Sequence, residues 1–137
     1  MDRIDELKVL VIEPGKKPYA KTIKNELKSL QDEVGGYIEV IHLLEYDVDL
    51  ICDDEGKMKN SPFNRALYDS DGDIYDVICG TFLIADSEDG DFVSLSDEKM
   101  KALLDYYKIP QMFFLMDDKL VALPMLCDEN DNDSPES

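Results

Sequence analysis

The chain has 137 residues and a mass of 15.6 kDa, which fits one ordinary domain of about 100–150 residues and leaves no room for two catalytic domains. Hydrophobic residues at 44% supply a core, while 34% charged residues and a mean hydropathy of -0.32 exclude a membrane-embedded chain. Thirty-two acids against fourteen lysines and arginines leave a net charge of -18, a field that repels nucleic-acid phosphate and excludes a conventional DNA or RNA binder.

In chain order, Lys8-Val9-Leu10-Val11-Ile12 reads as a buried strand, and Glu13-Pro14-Gly15-Lys16-Lys17-Pro18 stops it. From Tyr19 to about Glu33, Ile23, Leu27, Leu30 and Val34 recur at helical intervals, and Pro18 suits a first turn, so the pattern predicts a helix. Gly35-Gly36 ends it as a left-handed cap. Tyr37 to Leu43 and Val48 to Cys52 read as strands, the second running into a turn at Asp53–Lys57. Residues 58–73 carry Asn60, Pro62, Asn64 and Asp71-Gly72, and read mostly as loop around Arg65–Tyr68. Between Ile74 and Ala85 a short turn or helix is expected to feed a strand Thr81–Ile84. Ser96, followed by Asp97 and Glu98, has the character of an N-cap for a helix bearing Met100, Leu103, Leu104 and Tyr107, closed by Pro110. Residues 111–123 read as a hairpin turning at Asp117-Asp118. The expectation is a single α+β domain over residues 1–127, with a mixed β-sheet, two main helices and a C-terminal β-hairpin. Residues 128–137 hold five acids and no base or aromatic, the composition of a disordered acidic tail.

Charge is unevenly spread: +2 over residues 1–28 (seven bases, five acids), -6 over 29–68 (three, nine) and -14 over 69–137 (four, eighteen). Cys52, Cys79 and Cys127 form an odd set without CxxC spacing, and the charged start Met1-Asp2-Arg3-Ile4-Asp5-Glu6 is not a signal sequence, so a cytoplasmic protein with reduced thiols is expected. His42 is the only histidine, which leaves no Cys/His zinc pattern and a single ring for any nucleophile–base pair. In the predicted strand it shares parity with Ile38 and Val40, as a core-edge histidine would. Asp69-Ser70-Asp71-Gly72-Asp73 invites comparison with a calcium loop, but Ile74 falls where that loop needs glycine and Gly80 where it needs glutamate, so a solvent-facing turn is the better reading. No cofactor is implied.

Two binding chemistries remain. If Glu13–Pro18 joins a strand end to a helix start, Lys16 and Lys17 sit where free backbone N–H groups and the helix dipole favour an anion. Alternatively, carboxylates spaced along an acidic surface imitate a nucleic-acid backbone and occupy the basic groove of a DNA- or RNA-handling protein.

Glu13-Pro14-Gly15-Lys16, Pro18-Tyr19, Val34-Gly35-Gly36-Tyr37-Ile38-Glu39, Asn64-Arg65-Ala66 and Gly80-Thr81-Phe82 together carry a family resemblance. Over roughly residues 7–107 the chain resembles domain of unknown function 3846, a small domain of Firmicutes, their phages and conjugative elements. The resemblance implies no activity, cofactor or catalytic residue, and places the protein with mobile elements or their bacterial host. It directs attention to polar residues at element junctions. Arg65, the lone arginine of an acidic stretch, has a planar fork suited to a carboxylate or phosphate ligand, or to an internal Arg–carboxylate clamp with Asn64 holding the turn.

The leading expectation is therefore a non-enzymatic binding domain for a small anionic ligand, held by Lys16, Lys17, Asn64 and Arg65 with Tyr37 stacking on it. The alternative is an acidic inhibitor or regulator of a host nucleic-acid enzyme, recognised by strong weakening of partner binding in salt.

Overall fold

Strand β1 (Glu6–Ile12) alternates with period two: Leu7, Val9 and Val11 pack on one face of a sheet, Leu10 and Ile12 on the other. A strand covered on both faces needs apolar residues at nearly every position, which is why Val9–Ile12 is an unbroken run. The computed structural model describes residues 6–125. Its further elements are β2 (Tyr19–Lys24), α1 (Leu27–Val34), β3 (Ile38–Leu43), β4 (Val48–Asp53), β5 (Phe63–Tyr68), β6 (Ile74–Cys79), β7 (Phe82–Glu88), β8 (Asp91–Val93), α2 (Asp97–Tyr106), β9 (Gln111–Met116) and β10 (Lys119–Pro124).

The main sheet runs β2-β1-β7-β4-β3, with β8 folded back on β7; β5-β6 and β9-β10 are separate ribbons. The fold is α+β, with the expected C-terminal hairpin. Every strand pair among the described residues is antiparallel, so the expected mixed sheet is corrected. Helix α1 lays Leu30 and Val34 against Val9, Ile51 and Leu83 on one face. Helix α2 lays Met100 and Leu103 against Leu10, Leu50, Phe82 and Ile84 on the other, where Leu67 and Ile78 of the β5-β6 ribbon complete the layer. Among the described residues no helix is long and apolar enough to cross a membrane.

The helix expected from Tyr19 is not one helix. Tyr19–Lys24 pairs with β1, from Val11↔Tyr19 to Glu6↔Lys24, and only the second half of the segment is helical. Ile23, Leu30 and Val34 do share one cluster, but Leu27 is exposed and the shared burial comes from a strand and a helix together. A hydrogen-bonded neighbour at the sheet edge outweighs local periodicity here. The second correction concerns residues 58–85. Phe63–Tyr68 and Ile74–Cys79 form a bulged hairpin rather than loop and helix, and Gly80, at φ 83°, makes the break before β7. The intervening turn is the expected one: the Asp69 carboxylate accepts the N–H groups of Asp71 and Asp73.

Three local signals hold as expected. Gly35 caps α1 at φ 91° and donates its N–H to Gln31 O, Ser96 Oγ accepts the Lys99 N–H, and Asp117 and Asp118 turn the final hairpin. The acidic tail and Cys127 lie outside the described residues.

Gly56 packs against β6 so closely that a Cβ would stand 2.6 Å from the Cys79 carbonyl oxygen. Backbone cannot yield as a flexible side chain can, so Gly56→Ala is expected to cost about 1–3 kcal/mol, as overpacking does. An unchanged urea midpoint would contradict this packing.

Candidate functional site

The residues expected to hold an anion fall into two places. Asn64 is fully buried on β5 and donates from Nδ2 to Ile12 O (2.9 Å) and Gly80 O (2.8 Å), tying the ribbon to the ends of β1 and β6. Arg65 is 2% exposed. Its Nη1 donates to Asn64 Oδ1, and its Nη2 to Lys16 O and Tyr107 O, each at 2.9 Å. The guanidinium thus sits at the C-terminal end of α2, where carbonyl oxygens and the helix dipole favour a cation. Burial pulls its pKa down to about 10, and it stays charged at neutral pH. Arg65 does form an internal clamp, but the expected carboxylate partner is corrected: its acceptors are neutral oxygens.

Lys16 contributes its carbonyl to that clamp while its side chain, 70% exposed, lies 3.4 Å from Glu13. Lys17 is exposed on the same connection. That connection joins β1 to β2, strand to strand, so it offers no helix N-terminus and the dipole argument for an anion there is corrected. Tyr37 is elsewhere. It precedes β3, separated from β1 by β4 and β7, three strand spacings or roughly 14 Å. Beside it are Gly36, Glu55 and Lys59, and Lys59 is engaged with Gly35 O and Asp53. Burial opposes charge on Asp53, yet Lys59 and the Glu55 N–H hold its carboxyl below the ordinary range.

A different site gathers where the sequence offered no motif. Five of the seven tyrosines line one groove of about 430 Å3. Tyr46 comes from the β3–β4 turn, Tyr68 and Tyr75 from the β5-β6 ribbon, and Tyr106 and Tyr107 from the end of α2. The rings form a file from core to surface: Phe82 to Tyr107 at 5.6 Å, Tyr107 to Tyr106 at 4.7 Å and Tyr106 to Tyr46 at 5.5 Å, all tilted or edge-on. Gln111 anchors Tyr68 by donating to its hydroxyl while accepting the Ala66 N–H. Glu45 and Asp69 also line the groove, and no lysine or arginine does. Burial first, and then the charge of Glu45, pushes the phenols of Tyr46 and Tyr106 up, so both stay protonated in a negative field.

His42 closes one side of the groove. Its Nδ1 meets Asp49 at 2.9 Å and its Nε2 meets Asp47 at 3.2 Å, so it is a bonded edge residue as its strand parity implied. The hydrogen bond to Asp49 raises its pKa above the ordinary histidine value. A raised folded-state pKa means that the stability His42 contributes is fully present below the ordinary histidine pKa and is lost as pH rises through the raised value. The melting-temperature difference between the wild type and His42→Gln is expected to shrink over that window; a constant difference would contradict it.

The other chemical groups are quiet. Burial pushes the Cys52 thiol up to about 12 and raises Cys79 as well, leaving both protonated and unreactive at neutral pH. Asp69, Asp71 and Asp73 approach one another within 4.8 Å, but Asp69 already holds the turn by accepting two N–H groups.

A family profile described as domain of unknown function (DUF3846) matches residues 7–108. The chain belongs to the DUF3846 family. No curated protein and no solved structure matches it. The residues that carried the resemblance now have structural reasons. In the DUF3846 region Tyr19 donates to Glu13 across the β1–β2 connection, Gly35 caps α1, and Asn64-Arg65 clamps β1, β5 and α2 together. A Cβ on Gly36 would stand 2.7 Å from both Asp53 Oδ1 and Lys59 Nζ. The β9-β10 hairpin follows the matched region. None of the five groove tyrosines is among the residues that signalled the family. The groove escaped sequence reasoning because four separate elements supply it; the available hint was seven tyrosines with no tryptophan.

Proposed function

We propose that this DUF3846 domain is a non-enzymatic binding domain that takes a cationic surface of a partner protein, as an acidic regulator of a nucleic-acid-handling enzyme does. One observation carries the reading: a chain of charge -18 opens a groove lined by two carboxylates and no lysine or arginine. A basic, phosphate-binding surface is the complement of such a field, and the encounter is steered by long-range attraction. The small-anion reading has less support, because Arg65 spends its Nη groups on protein oxygens and Tyr37 stands apart from it. A binding role rather than a catalytic one is supported by the protonated, buried thiols and by a lone histidine bonded to two aspartates.

The test is capture of bacterial proteins on the immobilised chain at graded salt, with the retained proteins identified by mass spectrometry. The expected set is basic, enriched in nucleic-acid-binding proteins, and released as salt rises. A retained set without basic proteins, or retention indifferent to salt, would contradict the reading.

A further inference from the structure

We infer that the tyrosine-lined groove is an arginine-binding site, taking the guanidinium of an exposed segment of the partner protein. This rests on the cationic-partner reading above and adds the site and the side chain it recognises.

Every six-membered aromatic ring that lines the groove is a phenol, although the chain has five phenylalanines to draw on. A phenol supplies two things that a phenyl ring does not combine: a negative π face and an oxygen that accepts a hydrogen bond. Tyr68 is satisfied by Gln111, but the hydroxyls of Tyr46, Tyr75, Tyr106 and Tyr107 have no hydrogen-bond partner among the described residues. Tyr107 is the least exposed of the four at 4%, and its hydroxyl, without a protein partner, still reaches solvent at the groove; the one fully buried side-chain polar atom without a partner among the described residues is Arg65 Nε. Four phenol oxygens thus stand open as acceptors that a ligand donor reaches by displacing water.

The ligand must therefore be flat enough to lie on rings, rich in donors and positively charged. Tyr75 at 58% and Tyr106 at 46% exposure present ring surface to a visitor, while Glu45 and Asp69 supply formal negative charge. A guanidinium meets all of these demands with a planar, five-donor fork that stacks on aromatic faces. A lysine ammonium is charged but compact, and it engages fewer of the open acceptors at once. A phosphate or carboxylate is repelled by the same field. The volume of about 430 Å3 lies within the range of small-ligand sites, roughly 300–1,000 Å3, and accommodates the side chain together with adjoining atoms of its segment.

The chain lacks tryptophan, so its emission comes from tyrosine, and five of seven tyrosines line the groove. The full chain is titrated at low salt with a short arginine–glycine peptide and with lysine–glycine and glutamate–glycine peptides of equal length. Wild type, Tyr75→Ala and Glu45→Gln are compared; both replaced side chains are exposed, and neither belongs to the buried core. The arginine peptide is expected to change the emission saturably, to bind more tightly than the lysine peptide, and to lose roughly three- to tenfold in affinity with either variant. Equal binding of the arginine and lysine peptides overturns the arginine assignment. Salt-sensitive binding that both variants retain at full strength overturns the groove while leaving the cationic-partner reading intact. A wild type that binds neither basic peptide overturns both.

Discussion

Replacing Arg65 by methionine is expected to destabilise the fold by about 3 kcal/mol or more, because it strips hydrogen-bond donors from buried carbonyl oxygens. Lys16 O at the β1–β2 connection, Tyr107 O at the end of α2 and Asn64 Oδ1 on β5 all converge on one guanidinium. Methionine fills much of the volume but donates nothing, so the cost is desolvation without compensation. Lysine is expected to rescue little, since one ammonium cannot reproduce the two-pronged geometry. Against a typical domain stability of about 5–15 kcal/mol, such a loss is visible as a large shift of the urea midpoint. A variant that unfolds at the wild-type midpoint would mean that Arg65 is free for a ligand after all, and would revive the small-anion reading.

Phe82→Ala carries the second large effect, about 3–5 kcal/mol, the usual loss for an aromatic truncated in a packed core. Phe82 is fully buried at the start of β7, pairs with Ile12 across the sheet, and packs edge-on with Tyr107. The truncation opens a cavity beneath Tyr107, which loses the ring it packs on and itself lines the groove. Two measurements read this together: the urea midpoint falls, and the tyrosine emission of the still-folded protein changes. A lower midpoint with unaltered emission would mean that the groove does not depend on the core beneath it.

These two residues also mark how far the sequence could be read. Signals confined to one segment were legible: the branched runs of β1 and β4, the Gly35 cap, Ser96 with its acidic first turn, and the Asp117-Asp118 hairpin. Each follows from backbone preference or period, which a few neighbours determine. Strand β2 was not legible, because its identity comes from pairing with β1 at a sheet edge while its side chains are mostly exposed. The β5-β6 ribbon was hidden by bulges that disturb the alternation.

The site divides in the same way. The sequence draws attention to Asn64 and Arg65 and offers an internal Arg–carboxylate clamp as one reading of them, whereas the clamp in the structure closes on neutral oxygens. The sequence did not supply the acceptors, because a helix end lined with free carbonyls has no residue signature of its own. The groove lay further from view. Tyr46, Tyr68, Tyr75 and Tyr106-Tyr107 are scattered over sixty-two positions of the chain, and only the packing of α2 and the ribbon on one sheet face brings them together.

The groove as the functional site is tested most directly by mapping amide chemical shifts of the isotope-labelled chain during titration with the arginine–glycine peptide. The predicted result is a set of saturable shifts concentrated at residues 43–46, 68–70, 75 and 106–107, with Lys16, Lys17 and Tyr37 unmoved. Shifts centred on Lys16 and Lys17, or spread evenly over every acidic surface with none concentrated at the tyrosines, would contradict it.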